Sequence, residues 1–381
     1  MIPRPLTLAV SLALLLIPKA RADESWVGLK VMTAKPKVQL SERVGDKNIS
    51  FELTGSLHPV LKEQDGRLRV RDYLGREGWA DKANFVRLTD APAFFTDVIR
   101  NDPTSVWAWT MRANAWPASE ADNAIRDHTE AIRLDPKCVT AYYNRAGAWG
   151  NKQEWDKAIR DLDEARRIDP RAAAPLGEAV FHNFRGCLWL GKMDYDQAIR
   201  DFDEAIRIDP RFAPAFNHRG NAWEDKQDYD NAIRDYTEAI RLGLKDRFFE
   251  SDASVFINRG NLWLARREYV KALGDYDEAI RLDPKYDQAI GKKAYLLATC
   301  ADDNIRDVVQ AQELMKAVVK LRPTSPYNEE LRGVIAAAQG KFEEAIKYQK
   351  KALQDKHYAD RQGAKAHARL SAYAEQKPYR E

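Results

Sequence analysis

Six histidines, three cysteines and 58 acidic side chains are the groups able to do acid–base, metal or nucleophilic chemistry in this chain of 381 residues. His58, His128, His182, His218, His357 and His367 are scattered, with no His-Glu-x-x-His helix and no other paired metal-ligand spacing. No Gly-x-Ser-x-Gly elbow is present to expose a serine nucleophile. Gly340-Lys341 has the ending of a phosphate loop, but Phe342 fills the hydroxyl position and no glycine stands five residues before Gly340. Cys138, Cys187 and Cys300 are too few and odd in number for a disulfide framework, and read as isolated small side chains. Acids recur four residues after basic partners, as in Arg126 and Glu130 or Arg160 and Glu164. Such spacing gives surface ion pairs worth about 0.3–0.5 kcal/mol on a solvated helix face. These patterns imply no catalytic residue, no metal site and no cofactor.

Composition and charge narrow the class. A chain that is 31% charged and 44% hydrophobic is not a membrane bundle, a collagen or a disordered tail. Of the 61 basic residues, Arg4, Lys19 and Arg21 lie in the first 22 positions; the rest balance the 58 acids, which argues against a nucleic-acid partner held by phosphate neutralisation. Those 22 residues read as a cleavable export signal: a basic start, an apolar run from Leu6 to Ile17, then Ala20-Arg21-Ala22. Cleavage is expected between Ala22 and Asp23, placing the mature chain in the periplasm or outside the cell. The run is short of the roughly 20 apolar residues a span requires, and no later stretch replaces it, so no integral membrane association is expected after cleavage.

Residues 23–89 read as a small β domain. Short alternating runs, including Leu29-Lys30-Val31-Met32 and Leu68-Arg69-Val70-Arg71, are punctuated by Gly55, Gly66, Gly75 and Gly78. Asp65-Gly66 between two such runs is a hairpin signal. Five or six strands of this size fit a small barrel. Leu68-Arg69-Val70-Arg71-Asp72 followed by Gly75-Arg76-Glu77-Gly78-Trp79-Ala80 resembles the end of a bacterial Src-homology-3-like domain. The resemblance implies either cell-wall peptide binding or support of a neighbouring domain. Trp26 and Trp79 are its candidate ligand-stacking residues, with burial in the small core as the other reading.

From Asp90 a long period takes over. Ala124-Ile125-Arg126-Asp127 recurs at Ala158, Ala198 and Ala232, and in degenerate form at Ala272, at intervals of 34, 40, 34 and 40 residues. Ala131, Ala165, Ala205, Ala239 and Ala279 follow seven residues later, and Trp116, Trp149, Trp189, Trp223 and Trp263 precede. Asp-Pro closes units at Pro136, Pro170, Pro210 and Pro284, where proline stops a helix. The pattern resembles tetratricopeptide repeats, antiparallel helix pairs stacked into a solenoid. The family's small first-helix position is filled by Ala113, Ala146, Gly186, Gly220 and Gly260. Its large second-helix position is filled by His128, Leu162, Phe202, Tyr236 and Tyr276. The first unit is one residue short near Pro117, and six-residue insertions fall near 171–178 and 243–252. The expected class is therefore α+β and multidomain: an N-terminal β-barrel, then an all-α right-handed superhelix. Residues 90–103 form a capping helix, 104–284 five units, 285–356 two degenerate units, and 357–381 a closing helix and tail. Leu296-Leu297-Ala298-Thr299-Cys300 and Lys377-Pro378-Tyr379-Arg380-Glu381 are similar to segments of exported planctomycete repeat proteins.

The resemblance implies that first helices line a concave face and bind a protein or an extended peptide. Carried over residue by residue, the family's contact positions give Thr110, Met111, Asn114, Tyr143, Asn144, Asn183, Phe184, Asn217, His218, Asn221, Asn258 and Asn261. Asparagine dominates, and an amide that both donates and accepts suits a peptide backbone. Lysine is absent from the fifth position, which disfavours a carboxylate clamp. Arg145, Arg185, Arg219 and Arg259 are expected to pair with acids of the second helices rather than face a ligand. The leading expectation is an exported, non-enzymatic interaction scaffold. The alternative is a cell-wall binder acting through the β domain, with the repeats as spacer or oligomerisation surface.

Overall fold

Alternation in the first part of the chain produces strands because apolar side chains at every second position can share one face. The computed structural model describes residues 25–44, 47–53, 57–72, 75–170, 177–243 and 253–380. The expected export signal, its expected cleavage point and most of both insertions lie outside the described residues. The strands are β1 (Lys30–Thr33), β2 (Gln39–Val44), β3 (Lys47–Glu52), β4 (His58–Gln64), β5 (Arg67–Arg71), β6 (Glu77–Asp81) and β7 (Phe85–Arg87). In β5, Leu68 and Val70 are buried while Arg67 and Arg71 are exposed. Asp65 and Gly66, both at positive φ, make the tight turn between β4 and β5 as the dipeptide predicts.

All described pairings are antiparallel, in the order β3-β2-β6-β5-β4-β1-β7. Among the described residues the seven strands form one sheet that is not closed, so the expected barrel is not confirmed. β7 is three residues long and pairs along β1 before the chain enters a helix, and among the described residues no strand bridges β7 to β3. One face buries Val31, Leu40, Val60, Leu68, Val70 and Ala80. Met32 and Val86 pack instead with Ala91, Phe95, Met111 and Ala115, tying the sheet to the first helices.

The helices are α1 (Ala91–Asn101), α2 (Val106–Ala115), α3 (Ala121–Leu134), α4 (Val139–Asn151), α5 (Trp155–Ile168), α6 (Glu178–Gly191) and α7 (Tyr195–Ile208). They continue as α8 (Ala213–Asp225), α9 (Tyr229–Leu242), α10 (Ala253–Ala265), α11 (Tyr269–Leu282), α12 (Asp287–Thr299), α13 (Val308–Leu321), α14 (Pro326–Ala338), α15 (Phe342–Ala352) and α16 (Lys356–Ala374). From α2 to α15 each even-numbered helix pairs with the next. The turn within a pair contains a left-handed residue at Gln153, Met193, Gln227, Arg267 and Gly340. The first pair, one residue shorter, uses a 3-10 turn over Ala118–Glu120 after Pro117 instead. Asp194 caps α7 by accepting from the Gln197 amide at 3.2 Å. The chain divides into two compact units, one holding the sheet and α1–α7 to Asp209, the other α8–α16 from Pro210.

Candidate binding face of the first helices

What turns one face of each first helix outward is the close crossing on its other side. A Cβ on Gly186 would lie 2.6 Å from the Phe202 ring, on Gly220 2.7 Å from Tyr236, and on Gly260 2.8 Å from Tyr276. Where the second helix offers Leu162, the first helix carries Ala146, and both are fully buried. Ring size on one helix and side-chain loss on the other are thus matched in four of the five repeats.

An arginine next to each small residue fixes the rotation of the pair. Arg112, Arg145, Arg185, Arg219 and Arg259 each form a two-pronged ion pair with Asp127, Asp161, Asp201, Asp235 and Asp275, with N–O distances of 2.7–3.0 Å. These are the aspartates of the recurring Ala-Ile-Arg-Asp quartets, and they are buried rather than part of a solvated face. Burial alone would raise Asp201, yet hydrogen bonds from His182 and Arg185 hold it below the usual carboxylate range. The solvated acids pair differently from expectation: Glu130, Glu164, Glu204, Glu238 and Glu278 bond forward to arginines three residues on, rather than back to Arg126 or Arg160.

With the arginines engaged, the neighbouring amides define the open face. In the sheet-bearing unit Asn144 Nδ2 donates to Asn114 Oδ1 at 2.9 Å. Among the described residues this leaves Asn114 Nδ2 as an unused donor and Asn144 Oδ1 as an unused acceptor. The Tyr143 and Phe184 rings pack 5.2 Å apart beside them. Asn183 and Phe184 are only 5% and 8% exposed, so their side chains belong to the packing beneath the face. Burial raises the Tyr143 hydroxyl well above its ordinary value.

In the second unit Asn258 Nδ2 donates to Asn221 Oδ1 at 3.2 Å. The Tyr236 hydroxyl lies 2.7 Å from that same oxygen and 2.8 Å from Glu224 Oε2. The Tyr276 hydroxyl donates to Asn261 Oδ1 at 3.0 Å. Asn221 and Asn261 therefore keep Nδ2 as unused donors, and Asn258 keeps Oδ1 as an unused acceptor. Asn217 Oδ1 is buried with no donor among the described residues. Burial of the imidazole holds His218 down to about 4, so it is neutral at physiological pH. The tyrosines that orient these amides escaped sequence reading, because the aromatic position signals packing and says nothing of its hydroxyl.

The remaining candidates sit elsewhere. Trp26 packs against the sheet core with Lys82 Nζ 4.6 Å from its ring centre. Trp79 is half-buried on the opposite, polar face, with Lys62 Nζ 5.9 Å away. His182 contacts Asp201 at 2.8 Å, but Arg166 occupies its other ring nitrogen and the pair is buried, so it has no path to a substrate. Among the described residues no group of three metal-ligating side chains converges, and no helix is long and apolar enough to cross a membrane. The three cysteines are unbridged; burial raises the Cys187 thiol far above its ordinary value, which makes it inert.

Matched helix pairs, small residues at each crossing and a polar open face together define a repeat scaffold. Family models described as tetratricopeptide repeat match residues 114–173, 190–246 and 225–287, and a further one matches 330–354. The chain carries tetratricopeptide repeats. Among solved structures it is similar to yeast Tom70, at 19% identity over 76% of this chain and 59% of that one, with a TM-score of 0.51. It is also similar to the Cut9–Hcn1 hetero-tetramer of the APC/C, at 16% identity over 64% and 45%, with a TM-score of 0.50. The chain thus spans about half the length of these structures, and the likeness is one of fold. No curated protein matches it.

Proposed function

We propose that the first-helix faces bind an extended protein segment through its backbone and that the chain turns over no substrate. One observation carries this reading: in the sheet-bearing unit Asn114 keeps an unused donor beside the unused acceptor of Asn144, and in the second unit Asn221 and Asn261 keep unused donors beside the unused acceptor of Asn258. A peptide backbone presents both kinds of group at every residue, so such a face holds it with little regard to side-chain sequence. Export through residues 1–22 belongs to the same proposal and is checked by N-terminal sequencing of the secreted protein, which should begin at Asp23.

The test is capture from the exported fraction, with the chain and a variant carrying Ala at Asn144, Asn217, Asn221, Asn258 and Asn261. A partner whose retention falls at least about tenfold on the variant, with unchanged circular dichroism, supports backbone recognition by these amides. Equal retention on both chains overturns it.

A further inference from the structure

α16 covers a surface whose identity follows from register. In the upstream units a groove candidate stands three residues before the crossing glycine (Asn217 before Gly220) and another one residue after it (Asn221 after Gly220, Asn261 after Gly260). In α12 the crossing position is Ala294, fully buried and 34 residues beyond Gly260. In α14 it is Gly333, where an added Cβ would lie 3.3 Å from the Ala345 carbonyl oxygen of α15. Tyr295 therefore stands where Asn221 and Asn261 stand, and Glu330 where Asn217 stands.

Both positions are already taken by one side chain. Arg369 of α16 is 1% exposed, with Nη2 2.8 Å from Glu330 Oε1. It donates to the Tyr295 hydroxyl at 3.1 Å, to Gln349 Oε1 at 2.9 Å and to the Tyr358 hydroxyl at 3.0 Å. The segment after α16 continues along the same surface. The Tyr379 ring lies 5.7 Å from the Arg369 guanidinium and packs with Ala336 and Ala337 of α14, and Arg380 Nη1 lies 3.4 Å from the Ala298 carbonyl of α12.

The hold on α16 joins the Arg369 anchor to two buried tyrosine rings. Its buried residues are Tyr358, Ala366, Arg369 and Tyr373, with no large aliphatic side chain among them. The Tyr373 hydroxyl is buried with no hydrogen-bond partner among the described residues, so docking strips it of water without replacing the bond. A terminal helix that leaves a buried hydroxyl unbonded on docking is among the elements expected to open locally.

Resting on the reading of the first-helix faces as a peptide groove, we propose that α16 and the segment after it are an intramolecular occupant of that groove in the last two units. Arg369 fills a guanidinium receptor made by Glu330, Tyr295 and Gln349, and a partner segment bearing an arginine gains the receptor by displacing α16.

The probe is a fluorescein-labelled peptide of residues 355–380 titrated into the full chain. The tethered α16 competes at an effective concentration in the ~millimolar range, so the wild-type chain binds the probe weakly. In an Arg369→Ala chain the tethered copy lacks its anchor, and probe affinity is expected to rise at least about tenfold. Adding Glu330→Gln to that chain, or Arg369→Ala to the probe, should abolish the gain. Equal affinity for wild-type and Arg369→Ala chains, or a gain that survives without the Glu330 carboxylate, overturns the proposal. If Arg369→Ala fails to fold, hydrogen exchange on the wild-type chain decides. Amides of α16 exchanging at least about tenfold faster than those of α14 and α15 support a detachable occupant, whereas exchange in step with them overturns it. No external partner enters either measurement, so failure here is distinct from failure of the asparagine variant to lose its partner.

Discussion

At the scale of single residues, shape complementarity across each helix crossing is what the repeat selects. Gly220 faces the Tyr236 ring so closely that a methyl group there requires one helix to move. Gly220→Ala is expected to destabilise by about 1–3 kcal/mol, read by urea denaturation. Coupling it to Tyr236→Leu reproduces the Ala146–Leu162 pairing of the second unit, so the double variant should be more stable than the sum of the two single changes implies. The first unit breaks the rule with His128, 2% exposed and with Nδ1 unpartnered among the described residues. Burial, and secondarily the charge of Arg145, hold its imidazole down to about 3. Below the ordinary value near 6.5 the unfolded chain takes a proton that the folded chain refuses until about 3, so stability falls as pH drops through that window. The loss from this one group should reach about 2 kcal/mol at pH 5. His128→Phe should flatten the dependence of Tm on pH between 6.5 and 4; an unchanged slope assigns it to other groups.

At the scale of elements, the arginine–aspartate pairs explain why the two helices of a unit keep one rotation. Arg259 bonds both carboxylate oxygens of Asp275, reaches Thr237 of the preceding helix pair at 3.0 Å, and lies 5.8 Å from the Phe256 ring. A lysine keeps the charge but not the fork, so Arg259→Lys should cost about 2 kcal/mol in denaturant melts. Arg259→Ala, which leaves Asp275 buried and unpaired, should cost at least about 3 kcal/mol. Much of this level was legible in the sequence. Alanine periodicity, the tryptophans and the Asp-Pro stops predict helix pairs, and the seventh-position arginines were assigned to second-helix acids. Which acid was not legible: spacing along one helix relates Glu130 and Glu164 only to Arg126 and Arg160, and nothing in it marks the quartet aspartates as the acids that turn inward across the crossing. Closure of the sheet was not legible either, because alternation fixes which face is buried and says nothing of whether the edge strands meet. Register with the upstream units could have marked Tyr295 and Glu330 as face positions, but only coordinates show Arg369 already there.

At the scale of the whole molecule, charge balance separates two modes of recognition. Beyond its first 22 residues the chain carries as many basic as acidic side chains, and on the first-helix faces the arginines beside the small residues are already paired internally. What those faces leave unused are neutral amides, whose hydrogen bonds are little affected by a Debye length that shrinks from ~10 Å at 0.1 M salt to ~3 Å at 1 M. A partner bound through Asn144, Asn217, Asn221, Asn258 and Asn261 should therefore change its Kd by less than about threefold between 0.1 and 1 M sodium chloride, measured by calorimetry. A partner gripped by surface charge instead loses affinity steeply over the same range. A steep loss would move recognition from the amide face to the charged surface, and to the exposed ion pairs of the second helices in particular.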